Sequence, residues 1–133
     1  MRGLAIDTSV AVNILNADKS IISKVFQFYP IYLPIVVVGE LLFGAKNSGK
    51  SEKNIKKYIN FINECLILNT TKTIADNYSE IRHSLKKIGK PIPENDLWIA
   101  AICKSYELPL MTMDKHFKYI EDINIIEWKR ISC

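Results

Sequence analysis

An α/β domain built on a mainly parallel central sheet flanked by helices is what the sequence predicts, and three observations predict it. Short apolar runs of three or four residues alternate along the chain with longer segments of helical period. Prolines and capping residues stand where a strand gives way to a helix. No internal repeat or linker divides the 133 residues, a length typical of one domain, so residues 1–133 are expected to form a single unit.

Leu4-Ala5-Ile6 opens as a strand, and Asp7-Thr8-Ser9 supply capping chemistry ahead of a helix over Val10 to Asn16. A second short helix covers residues 19 to 28, and Ile31-Tyr32-Leu33 between two prolines is the next strand. Pro34 suits the first position of a helix, where its missing N–H costs nothing, and that helix runs to about Ala45. Ile55, Tyr58, Ile59 and Ile62 follow the i, i+3, i+4, i+7 spacing of an amphipathic helix, with Lys53, Lys56 and Lys57 off the stripe. A strand over Cys65 to Leu68 comes next. Ile74, Tyr78, Ile81, Leu85 and Ile88 then step by fours and threes through a long helix that Gly89 stops. After the extended Pro91-Ile92-Pro93, Pro93 begins a helix to about Tyr106. Leu110-Met111-Thr112 and Asn124 to Glu127 are the last strands, with a short helix near Lys115 to Tyr119 between them.

Composition excludes several classes. With 48% hydrophobic and 10% aromatic residues the chain has enough apolar surface for a core, which argues against disorder. Its longest uncharged stretch, Val25 to Gly39, is 15 residues and holds Gln27, Pro30 and Pro34, short of the ~18 a membrane span needs. Asp7 interrupts the N-terminal apolar run, so no signal peptide and a cytoplasmic location are expected. Cys65, Cys103 and Cys133 contain no CxxC pair, which points to neither a disulfide framework nor zinc; Cys65 and Cys103 are expected in the core. The net charge of +4 is unevenly spread. Residues 46 to 90 carry ten Lys/Arg against four acids, a balance that suits a polyanionic partner as well as a plain solvated face.

The acids carry more information. Glu40 is the sole ionisable residue in Pro34 to Ala45, and an unpartnered carboxylate on a buried apolar helix must take up a proton or find a cation. Asp96 poses the same question at the start of the apolar Leu97 to Cys103, although the helix dipole favours an acid in a first turn. Asp7 and Asp114 each suit a helix cap, yet both follow a short apolar strand, and ligand sites in open α/β sheets lie outside the carboxyl ends of strands. Four acids brought to one cleft would repel one another unless hard divalent cations were present. Oxygen ligation favours Mg²⁺ or Mn²⁺ over zinc.

At these residues the chain resembles a family. Asp7-Thr8-Ser9 after the first strand, Gly39-Glu40-Leu41 in an apolar helix, Asn95-Asp96-Leu97-Trp98-Ile99-Ala100-Ala101 and Thr112-Met113-Asp114-Lys115-His116-Phe117 are similar to the four acidic motifs of PIN-domain nucleases, specifically the VapC-like toxins of prokaryotic toxin–antitoxin modules. The resemblance runs from residue 2 to about 127 and includes Arg82, Gly89 and Ile92. It implies a PIN-like fold and a Mg²⁺-dependent endoribonuclease in which Mn²⁺ can substitute. Asp7, Glu40, Asp96 and Asp114 would be the metal ligands and catalytic acids, with Ser9 and Thr112 as supporting hydroxyls. It also implies a small VapB-like antitoxin as partner, with a segment lying across the acidic cleft, and is compatible with a homodimer. One departure stands out: some members carry a further acid two residues after the fourth, where this chain has His116.

Ions held by carboxylates can activate water, neutralise the phosphate and stabilise the leaving oxygen of an in-line displacement, so no catalytic histidine is needed. His83 and His116 are accordingly expected to be structural or surface residues. Arg82 with Lys86 and His83 with Lys87 are i, i+4 pairs followed by Lys90, and Arg82, Lys86, Lys87 and Lys90 would steer an RNA backbone toward the metals. Two other classes compete. A phosphoacceptor signalling domain would need a paired acid at the first strand and a late Lys, whereas Thr8 follows Asp7 and Asp114 stands at the late position; a haloacid-dehalogenase-like phosphatase would need Asp-x-Asp. A non-catalytic binding module of the same fold would not require all four acids.

Overall fold

The computed structural model describes residues 3–129. Its elements run β1 (Leu4–Ile6), α1 (Thr8–Leu15), α2 (Lys19–Phe26), β2 (Ile31–Pro34), α3 (Ile35–Lys46), α4 (Ser51–Asn63), β3 (Leu66–Leu68), α5 (Lys72–Lys87), α6 (Glu94–Tyr106), β4 (Leu110–Thr112), a 3-10 helix (Lys115–Tyr119) and β5 (Ile125–Glu127). The strands form one sheet in the order β3-β2-β1-β4-β5, and every pairing is parallel. β1 and β4 are buried along their whole length, which is why they read as apolar runs up to Thr112, the polar end of β4. Chain order reverses beside β1, with β2 on one edge and β4 on the other. That junction is the switch point where open α/β sheets bind ligands.

Local chemistry sets the element ends. Asp18 caps α2 by accepting the N–H groups of Ser20 and Ile21, and Thr71 caps α5 through the N–H of Ile74. α5 closes on Gly89 at φ +69°, where the Lys90 N–H reaches the Leu85 carbonyl; α6 closes the same way on Glu107 at φ 53°, without a glycine. At Gly3, φ +120°, a Cβ would stand 2.6 Å from the Pro30 carbonyl oxygen, so glycine is what lets the start of β1 approach β2.

Three expectations are corrected by one residue or by a face. Pro34 and Pro93 are the extended N-caps of α3 and α6 and not their first helical residues, because ψ near +141° and +147° carries the preceding extended chain one residue further. α1 begins at Thr8 because Asp7 itself is the cap. The stripe of α4 is only partly covered: α4 packs on α3 and α1, Tyr58 and Ile62 meet the core, and Ile59 is 42% exposed. α5 and α6 form the other helical pair. One contiguous cluster of buried residues joins sheet and helices. Among the described residues no helix is long and apolar enough to cross a membrane. Cys133 lies outside the described residues.

Candidate metal centre

Asp7 follows β1 directly and accepts three hydrogen bonds at once. Its Oδ1 accepts the Val10 N–H at 3.1 Å and the Ser9 hydroxyl at 2.6 Å, and its Oδ2 accepts the Thr112 hydroxyl at 2.5 Å. Those hydroxyls are themselves anchored, since Ser9 Oγ accepts the Met113 N–H at 3.1 Å and Thr112 Oγ1 accepts the Asp114 N–H at 3.0 Å. The carboxyl ends of β1 and β4 are thus laced together through Ser9 and Thr112. This network orients Asp7, which is 2% exposed. Asp114 sits at the N-cap position of the 3-10 helix, but its side chain makes no capping bond, so the cap explanation fails for it.

Glu40 comes from the middle of α3, where its Oε1 accepts the Thr8 hydroxyl at 2.7 Å. It is half-buried, and the helix around it is less enclosed than its composition suggests: only Val37, Leu41 and Ala45 are buried, while Phe43 is 69% exposed. Asp96 occupies the first turn of α6, and its Oδ2 lies 2.8 Å from His116 Nε2.

Asp7, Glu40, Asp96 and Asp114 line one cleft of about 500 Å³, which Glu94 and Asn95 also border and to which, among the described residues, no Lys or Arg contributes. Burial raises the Asp7 carboxyl above its ordinary range; the Ser9, Thr112 and Val10 donors pull it down, and the charge of Asp114 pushes it up again. Burial likewise raises Asp96, His116 opposes the rise, and Asp114 and Glu40 add to it. Both carboxylates are therefore held in a place that disfavours their charge, which is what a site made for a cation does when only carboxylates are counted. The carboxylate-rich donor set fits a divalent ion.

The four acids line this one cleft, and the Ser9 and Thr112 hydroxyls both hydrogen-bond Asp7. The four basic residues lie outside the cleft and do not share one surface. Arg82 is paired with the Tyr78 hydroxyl at 2.7 Å and with Glu94 at 3.5 Å, and Arg82 and Lys86 border a groove with Pro91 and Ile92. Lys87 faces a different groove, and Lys90 lies over the Tyr119 ring. His83 is exposed as expected. His116, expected to be a structural or surface residue, is a half-buried hydrogen-bond partner of Asp96, and donor atoms of Asp96, Asp114 and His116 all lie within 4.8 Å of one another. Its position two residues after Asp114 was the available signal. Thr8, Glu94 and Asn95 were also missed; Thr8 adjoins Asp7, and the other two immediately precede Asp96. Cys103 is buried in the core, while Cys65 is only half-buried, with burial and then Glu64 pushing its thiol up to about 11.

A PIN-domain protein is the class that this fold and this ring of acids define. The family model described as the PIN domain matches residues 4–123, and the chain belongs to that family. Within it the chain belongs to the VapC ribonucleases: Ribonuclease VapC2 of Haemophilus influenzae is 32% identical over 94 residues, which cover 70% of this chain and 71% of that protein. Ribonuclease VapC1 of the same species is 29% identical over 130 residues, covering 94% and 97%. Among solved structures, VapBC2 from Rickettsia felis bound to a promoter DNA fragment matches with a TM-score of 0.89 at 26% identity, covering 95% of this chain and 98% of that one. VapBC-1 from nontypeable Haemophilus influenzae matches at 0.84 and 29%, covering 94% and 97%.

Proposed function

We propose that this chain, as a single domain, is a Mg²⁺-dependent endoribonuclease, with Mn²⁺ able to substitute, acting as the toxin of a two-gene module. The observation that carries this reading is the convergence of Asp7, Glu40, Asp96 and Asp114, from separate parts of the fold, on one cleft that no Lys or Arg lines among the described residues. These four acids would hold the divalent ion or ions. A bound ion supplies charge neutralisation at the phosphate and water activation there. Water oxygen would attack phosphorus and give up a proton to solvent as the bond to the leaving ribose oxygen breaks, and that oxygen would take up a proton from solvent, so that the protons balance. The chain's own contribution is placement. Ser9, Thr112 and the Val10 N–H hold Asp7, Thr8 holds Glu40, and the first turn of α6 presents Asp96. Purified chain is expected to cut single-stranded RNA with Mg²⁺ or Mn²⁺ and to stop in EDTA; equal cutting in EDTA would overturn the reading.

A small VapB-like antitoxin is the proposed partner, supported by similar structures titled as VapBC assemblies. Two surfaces suit it. The acidic cleft would accept a basic side chain in place of a cation, and an apolar groove of about 470 Å³ between α1, α2 and α4 offers Ile14, Ile22, Phe26 and Phe61, with Phe26 60% exposed. The proposed homodimer would cover the outward face of α3 at Phe43.

Arg82, Lys86, Lys87 and Lys90 remain the proposed phosphate contacts. Because they lie around α5 on more than one surface, they act as a field and not as one reading surface. Replacing all four with Ala should weaken RNA binding and make its salt dependence shallower, while leaving the cleavage positions unchanged. Filter binding across a salt series measures this, and an unchanged slope would reduce them to a solvated face.

A further inference from the structure

His116 stands at the carboxylate centre with no role in the reading above. Its Nε2 is 2.8 Å from Asp96 Oδ2, and the Asp96, Asp114 and His116 donor atoms share a space of 4.8 Å, a span that small side-chain rotations close onto one ion. The three side chains reach that point from different places: the first turn of α6, the turn after β4 and the 3-10 helix. The imidazole is not adrift. It packs tilted against Phe117, with ring centroids 4.8 Å apart, and Phe117 is fully buried. We infer that His116 is a nitrogen ligand of the divalent centre and biases it toward Mn²⁺ over Mg²⁺.

The chemistry is one of donor type. Mg²⁺ is a hard ion that keeps oxygen ligands and gives up water reluctantly, whereas imidazole suits first-row transition ions and carboxylate suits Mn²⁺ as well as Mg²⁺. A set of two carboxylates and one imidazole therefore separates the two ions more than an all-carboxylate set does. The single Nε2 can hydrogen-bond Asp96 or bind an ion, and the ion's presence decides between them. Attribution is simple because the chain has two histidines, and the other, His83, is exposed on α5.

The inference rests on the metal-dependent reading, and the test separates the two. Mn²⁺ is titrated into the full chain, into His116→Asp and into His116→Gln, with Mg²⁺ as competitor, and the bound Mn²⁺ is examined by pulsed EPR for the hyperfine coupling of a directly coordinated nitrogen. The wild type should show that coupling. Both variants should lose it while still binding Mn²⁺, and His116→Asp should lower the Mn²⁺-to-Mg²⁺ affinity ratio roughly tenfold or more. His116→Gln keeps a neutral side chain, so the result stands even if the added acid disturbs the fold. Mn²⁺ bound without a coordinated nitrogen, or an affinity ratio unchanged in His116→Asp, overturns the inference alone and leaves His116 as a hydrogen-bond partner of Asp96. No Mn²⁺ binding by the wild type overturns the metal-dependent reading as well.

Discussion

Asp96→Asn, Asp7→Asn and Glu40→Gln are each expected to lower RNA cleavage by about a thousand-fold or more, and to relieve growth inhibition, in a chain that still folds. The size follows from shared coordination: ligands of one centre act as a unit, so losing one disables the site and a second substitution adds little. The fold should survive because the substitutions are nearly isosteric. At position 7 an Asn Oδ1 can still accept the Val10 N–H, and the hydroxyls of Ser9 and Thr112 can rotate to suit the amide. Cleavage of a defined RNA, read beside a thermal melt of each variant, makes the comparison. Full activity in folded Asp96→Asn would remove Asp96 from the centre.

The second large effect is on stability. Mn²⁺ at 100 times its dissociation constant should stabilise the wild type by roughly 2.7 kcal/mol and raise its Tm by several degrees, because the ion binds the folded arrangement of acids and not the unfolded chain. The double variant Asp7→Asn/Asp96→Asn should melt higher than wild type in EDTA and respond little to Mn²⁺, since repulsion and ligands vanish together. The sign of the pH effect is fixed by the direction of the two shifts. Both carboxyls are raised above their ordinary 3.8, so their contribution to stability is complete below that pH and is lost as pH rises through the raised values. In EDTA the wild type should therefore fall behind the double variant as pH climbs from below 3.8 to neutrality. An equal Mn²⁺ response in both proteins would place the ion elsewhere.

The alternation of strands and helices was legible because β1 and β4 are short, buried and mostly apolar and the helices between carry period and caps; those features are local. The four acids were legible because each interrupts or borders an apolar run. What stayed hidden depends on packing between distant segments. His116 meets Asp96 across 20 residues and two elements, and no spacing encodes that contact. The enclosure of Glu40 was overread for a related reason: composition shows that α3 is apolar but not that one side of it faces outward at Phe43. On α5 the basic residues are visible in sequence, yet adjacent Lys86 and Lys87 turn about 100° apart on a helix and so border different grooves.

The place of β1 in the sheet has a kinetic consequence. Its pairing with β2 spans one short crossover, but its other edge waits for β4, and the Thr112 to Asp7 hydrogen bond joins residues 105 apart. Contacts of such separation carry the greatest loop-closure entropy and form only after nearer ones have reduced it. A chain that has paired β1 with β2, and β2 with β3, already holds Asp7 and Glu40, yet it lacks Asp96 and Asp114 and leaves the inner edge of β1 open. Nuclease chemistry is thus expected only with the last large step of folding, and a half-folded molecule would expose the β1 edge before its four acids are together.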